Sequence, residues 1–153
     1  NERRAQCEAA ASALGLPSLR TATMEQVEAL PDPRMRALAR HVVTENQRVL
    51  DARDALRAGD MARFGALMTQ SHHSLSADFQ TSTREVDALV ESCLGRGVLG
   101  ARITGAGFGG CIVVLVECGA EAGLVTSLRY AHPQAWLVAT SKATRSARAS
   151  GEG

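Results

Sequence analysis

The stretch Thr104-Gly105-Ala106-Gly107-Phe108-Gly109-Gly110 has the residue types and spacing best suited to chemistry, with four glycines in six positions. Gly105, Gly107 and Gly110 fit the pattern G-x-G-x-x-G, which in dinucleotide-binding folds lays a pyrophosphate on the N-terminus of the helix after it. In this chain the glycines lead into Cys111-Ile112-Val113-Val114-Leu115-Val116. That run is apolar and rich in β-branched residues, so a strand is expected and a pyrophosphate site of that type cannot form. No Lys-Ser or Lys-Thr pair succeeds the glycines, which rules out a P-loop as well. Two readings remain for such a strand-loop-strand. One is a hairpin with a bulge; the other is a backbone left bare so that phosphate oxygens or a second glycine-rich loop can approach closely. Phe108, the one large side chain of the loop, is expected to pin it to the core.

Other chemistry-bearing residues offer less. Cys7, Cys93, Cys111 and Cys118 form no C-x-x-C pair and lack the histidine spacing of a zinc site, so they are expected to be reduced and structural. Cys93 falls on an apolar helical face and Cys111 opens an apolar run, the setting of a small buried hydrophobe. His72 and His73 are adjacent and on a helix point about 100° apart, so no metal site is expected from the pair. Seventeen Lys plus Arg against sixteen Asp plus Glu leave a net charge of +1, and no global field to recruit nucleic acid or an anionic membrane. The longest apolar run is far short of the roughly 20 residues that cross a bilayer, and no signal peptide is evident; a cytoplasmic location is expected.

The elements that must position the loop are announced by helix signals first and strand signals later. A length of 153 residues with 45% hydrophobic content fits one globular domain. Arg3 to Leu14 reads as a helix stopped by Gly15 and Pro17, and Thr23 with Gln26 has the capping-box spacing for a short helix near Met24 to Leu30. Asp32 and Pro33 open a long helix to about Ala58 before Gly59, with Met35, Leu38, Val42, Val49 and Leu56 as its buried stripe. Asp60 caps a helix expected to end near Ser71-His72-His73-Ser74, with Phe79 anchoring the connection beyond it. Ser82 and Glu85 form a second capping box for a helix carrying Val86, Leu89, Val90, Cys93 and Leu94. Strands are expected over Val98 to Thr104, over Cys111 to Val116 with both faces largely covered, and near Ala135 to Ala139, with a helix near Ala120 to Tyr130 between the last two. Helices followed by a strand cluster imply an α+β fold, with helices packed on one side of a small antiparallel sheet.

Thr104 to Cys111 followed by an apolar strand resembles the third signature motif of the GHMP small-molecule kinases, and the Phe108-Gly109-Gly110-Cys111 ending resembles the galactokinases in particular. Three further segments agree in order. Asn1-Glu2-Arg3-Arg4-Ala5-Gln6-Cys7-Glu8 is similar to N-x-R-R-x-x-C-E, and Thr44-Glu45-Asn46-Gln47-Arg48-Val49 to T-E-N-x-R-V. Leu67 to Phe79 is similar to L-M-x-x-S-H-x-S-L-x-x-D-F. The resemblance implies a GHMP-kinase C-terminal domain over residues 1–140; residues 141–153, polar and without a large apolar side chain, are expected to be a flexible tail. Ser141 onward stands where galactokinases usually carry a Pro-Ser-x-Gly-Ala type ending. The family's sugar signature, main phosphate-binding loop and catalytic Asp and Arg belong to an N-terminal domain and are not found in this sequence. Because Asn1 lies inside a motif and is not Met, the chain is expected to be part of a longer protein.

The implied activity of the whole enzyme is transfer of the ATP γ-phosphoryl group to the anomeric hydroxyl of galactose, with Mg2+. Its partners are then the N-terminal galactokinase domain, galactose and ATP. Thr104, Gly105, Ala106, Gly107, Phe108, Gly109 and Gly110 would support the phosphate loop of the other domain and shape the phosphate pocket. Ser71 and His72 are either support for that site or a hydrogen-bond cluster at a helix end. No catalytic residue and no metal ligand is expected in this chain, which alone should neither turn over galactose nor bind ATP tightly. Its uncovered interface would favour self-association. A non-catalytic galactokinase-like binding or regulatory module, and another GHMP sugar kinase, are the alternatives.

Overall fold

A computed structural model describes residues 2–95 and 97–142; Asn1, Arg96 and residues 143–153, with most of the expected tail, lie outside the described residues. The elements run α1 (Glu2–Ala13), a 3-10 turn (Leu19–Thr21), α2 (Met24–Glu28), α3 (Pro33–Ala58), α4 (Met61–Ala77), α5 (Arg84–Cys93), β1 (Val98–Thr104), β2 (Cys111–Val116) and α6 (Glu121–Ala131). The capping signals explain most boundaries. Thr23 and Gln26 make the reciprocal capping box of α2. Asp32 Oδ1 accepts from the Arg34 and Met35 amides with Pro33 in the first turn of α3, and Gly59 at φ 73° ends that helix. Asp60 accepts from the Arg63 amide to start α4. At α5 the cap is Thr83, whose hydroxyl takes the Val86 amide, and not the expected Ser82. Two hydroxyl residues one position apart offer the same chemistry, and the packing of the turn chooses between them.

The core has two centres. Ala10, Ala11, Leu19, Val27, Leu30 and Ala39 form the first, which joins α1 and α2 to the first half of α3. Burial of each larger side chain there contributes roughly 1.5–3 kcal/mol. Val90, Cys93 and Ala101 form the second, with Ile112, Val114, Leu124 and Leu128 packed on it, so α5 and α6 cover one face of the sheet. Strand β1 pairs antiparallel with β2 in a register that sets Thr104 opposite Cys111 and Ile103 opposite Ile112. Between the two centres α4 lies directly on β1. A Cβ on Gly65 would stand 2.2 Å from Leu99 O, and one on Gly100 would stand 1.9 Å from Gly65 O. Glycine at both positions lets a helix backbone touch a strand backbone.

Several expectations are corrected. Val49 and Leu56 are exposed, and the buried residues of α3 are Leu38, Ala39, His41 and Ala55, because α1 and α2 cover only its first half. Helix α4 does not stop at Ser71–Ser74 but runs to Ala77; those polar side chains bond to neighbouring elements and so do not compete with the helical backbone. Strand β2 is covered on one face only, with Cys111 and Val113 outward, since helices pack on a single side. Cys111 is therefore exposed and not a buried hydrophobe. Ala135–Ala139 is not a strand. After a turn closed by the Ala135 amide on His132 O, these residues pair with no strand among the described residues, and Trp136 is 80% exposed. A short apolar run without a partner edge does not make a strand.

Candidate functional site

The register pair Thr104–Cys111 closes the ladder, so Gly105 to Gly110 form a six-residue connection, longer than the two-residue turn of a tight hairpin. Its backbone is left-handed at Gly105 (φ 90°), Gly107 (82°), Phe108 (60°), Gly109 (121°) and Gly110 (97°). Glycine takes such angles freely, whereas Phe108 holds one at a cost of about 1–2 kcal/mol. One contact fixes the loop. The Phe108 amide donates to Thr81 O at 2.6 Å, and a Cβ on Gly107 would lie 2.6 Å from that same oxygen. Gly105, Gly109 and Gly110 face open space, with nothing within 4 Å of where a Cβ would be.

Phe108 does not pin the loop to the core: its side chain is 64% exposed, and the backbone at Gly107 and Phe108 makes the attachment instead. Beneath the loop lies a cleft of about 200 Å³, lined by Leu75, Phe79, Thr81, Arg102, Thr104 and the start of the loop. Arg102 and Thr104 share a strand face by the two-residue period. Arg102 Nε donates to Ile103 O at 3.2 Å, and among the described residues the guanidinium has no carboxylate partner. Thr81 and Arg102 escaped the sequence reading. The Arg102–Thr104 period could have flagged the second, but nothing local flags Thr81.

Ser71 and His72 are buried inside α4, and neither lines the cleft. The Ser71 hydroxyl donates to Glu45 Oε2 at 2.7 Å; Glu45 also pairs with Arg48, whose Nη2 reaches Thr44 at 2.9 Å. His72 Nδ1 accepts the Ile103 amide at 3.3 Å, one turn beyond Thr69, whose hydroxyl accepts the Ala101 amide at 3.2 Å. Side chains of α4 thus satisfy the amides of β1 that point away from β2. His72 Nε2 lies 3.2 Å from Asp87 Oδ1, off the line of a good hydrogen bond, so that oxygen is left without a well-aligned donor. Burial pushes the His72 ring below the ordinary imidazole value, against the pull of Asp87. Burial also raises Asp87, but Ser82, Ser76 and His72 more than offset it and hold the carboxyl below its usual range.

A second buried histidine, His41, packs on Phe79, one of the residues that line the cleft. His41 stacks on Phe79 with ring centroids 4.5 Å apart, and its Nδ1 is 2.9 Å from Ser74 Oγ. Ser74 spends its proton on Asp78 at 3.0 Å, so His41 Nδ1 is the donor. Burial lowers its pKa as well. The two neutral rings therefore carry their protons on opposite nitrogens, assigned from their partners. Cys93 is an inert core thiol, pushed up to about 11 by burial. Among the described residues no three His, Cys, Asp or Glu side chains are placed to hold a metal ion. No described helix is long and apolar enough to cross a membrane.

Residues 52–127 match the family described as GHMP kinases C terminal. The galactokinase of Mannheimia succiniciproducens is 51% identical over 126 residues, covering 75% of this chain and 32% of that protein. The galactokinase of Bos taurus is 51% identical over 122 residues, covering 77% and 31% respectively. In three dimensions the chain is similar to the crystal structure of Lactococcus lactis galactokinase complexed with galactose. The TM-score is 0.82 at 34% identity, with 88% of this chain and 37% of that chain covered. The chain spans about a third of the length of the curated relatives it matches.

Proposed function

We propose, from the premise that this chain belongs through residues 52–127 to the GHMP kinases C-terminal family, that it forms the C-terminal part of a galactokinase. The observation that carries this reading is the loop itself, bare on its outer side and fixed by its backbone at one point. A surface of that kind suits the close approach of another backbone or of phosphate oxygens. In the whole enzyme the γ-phosphoryl group of ATP would pass to the anomeric hydroxyl of galactose. Phosphoryl transfer is mostly positioning and charge stabilisation. Thr104, Gly105, Ala106, Gly107, Phe108, Gly109 and Gly110 would brace the phosphate-binding loop of an N-terminal domain and shape one wall of the phosphate pocket. His72 would act at a distance, by fixing β1 under the loop, and Ser71 by tying α4 to α3 through Glu45.

Mg2+ would accompany ATP, but the described residues of this chain do not fit the metal. No carboxylate lines the cleft, which supports placing the ion and the base that takes the sugar proton in the N-terminal domain. The domain would comprise residues 1–140, and the protein would act in the cytoplasm. The test is reconstitution. Galactose-dependent ADP release is expected to be absent with this chain alone and to appear on mixing with the N-terminal domain of a galactokinase. Turnover by the chain alone, or none in a mixture whose two parts bind each other, would sink the reading. Without its partner the exposed Phe108 surface is open to a second copy, so sedimentation should show association rising with concentration; a strict monomer would count against that interface.

A further inference from the structure

Among the described residues only two that are not glycine hold a left-handed φ, Gln80 at 54° and Phe108 at 60°, and both belong to one contact. Gln80 precedes Thr81, whose carbonyl oxygen accepts the Phe108 amide at 2.6 Å. Thr81 is buried, and its own amide donates to Leu75 O at 3.0 Å, which ties the turn to the end of α4. The neighbouring carbonyl, Gln80 O, receives Arg3 Nη2 from α1 at 3.0 Å, across seventy-seven residues of sequence. Arg3 Nη1 donates to Gln6 Oε1 at 2.7 Å, while its Nε is buried without a hydrogen-bond partner. Strained backbone angles and unpaired buried donors are both unfavourable, and they persist where surrounding contacts over-determine them. Here they fall along one line that runs from α1 through the turn at Gln80 and Thr81 to the glycine loop.

We propose that Arg3 is a positioning residue for the glycine loop. Its guanidinium holds the Gln80 carbonyl, so the left-handed turn presents the next carbonyl, Thr81 O, to the Phe108 amide and sets the direction in which the loop leaves the sheet. The catalytic importance of that direction rests on the proposed function; the geometry does not.

Amide hydrogen exchange on the 153-residue chain tests it without any activity. Arg3→Ala is expected to speed exchange of the Phe108 amide at least about tenfold while Ala101 and Ile103 in β1 keep their rates. Arg3→Lys should restore most of the protection, because an ammonium can still donate to Gln80 O. Arg4→Ala, which removes only the exposed pair with Glu8, should change nothing at Phe108. Gly107→Ala releases the loop from the other end, and the Arg3→Ala, Gly107→Ala double variant should exchange no faster at Phe108 than either single variant. An unchanged Phe108 rate in a folded Arg3→Ala chain would overturn the proposal. So would a rise shared equally by Ala101 and Ile103, or additive effects in the double variant. If Arg3→Ala fails to fold, Arg3→Gln replaces it with the same expected pattern. Failure of reconstituted galactose turnover would remove the proposed function and leave these rates as they are.

Discussion

The seam between α4 and β1 and the loop from Gly105 to Gly110 are both built on glycine, yet one is filled and the other is empty. At the seam a Cβ on Gly100 would collide with the Gly65 carbonyl at 1.9 Å, so hydrogen replaces a side chain to let two backbones of the same chain meet. At the loop the Cβ positions of Gly105, Gly109 and Gly110 meet nothing within 4 Å. Glycine that touches atoms is explained by the fold that contains it. Glycine at positive φ facing open space is accounted for in part by the turn of the chain, and its bareness points outward, to something that comes to it.

The filled seam carries the largest expected effect. Gly100→Ala is expected to cost at least about 3 kcal/mol, since backbone on both sides leaves no flexible atom to yield. A urea unfolding midpoint equivalent to less than about 1 kcal/mol would show slack at the seam. His72→Ala comes next, at about 2–4 kcal/mol, because it strips the Ile103 amide of its acceptor and leaves a void. Stability equal to the parent would mean that water replaces the ring at no cost. Acid acts on the same buried rings. The folded pKa values of His41 and His72 lie below the ordinary 6.5, so folding favours their neutral forms. Their contribution is complete above about pH 6.5 and is lost as pH falls through the lower folded values. Thermal unfolding from about pH 7.5 to 5 should therefore show stability falling below about pH 6.5, by up to about 1.4 kcal/mol per pH unit for each ring. A flat profile would put both rings in contact with solvent. The smallest effect belongs to the empty side. Gly109→Ala should lower stability by only about 1 kcal/mol, the cost of φ 121° in a residue with a Cβ, while sharply reducing turnover reconstituted with the N-terminal domain. Undiminished turnover would mean that the loop's bareness serves nothing.

Much of this architecture was legible because helix termini write themselves in a few residues. Thr23 with Gln26, Asp32 with Pro33, and Asp60 each carry their hydrogen bond locally, and each stands where expected. The glycine loop was legible from composition. The features that escaped depend on what arrives from elsewhere in the chain. Val49 has the right spacing for a buried stripe, but no described element covers it. Trp136 sits in a short apolar segment that, among the described residues, finds no edge to join. Thr81 looks like an ordinary polar turn residue until its carbonyl is seen to carry the loop. Gly65 and Gly100 are lone glycines in a helix and a strand, and only their mutual approach explains either.

Thr69 and His72 have a consequence for how this sheet can associate. By occupying the outward amides of β1 they close that side to any incoming strand, whereas among the described residues nothing pairs with the far side of β2. Sheet growth is therefore one-directional. A strand from elsewhere in a longer protein, or from a misfolded neighbour in edge-to-edge aggregation, can be added only beside β2, and a single Lys or Pro placed on the exposed side of that strand would suffice to block it.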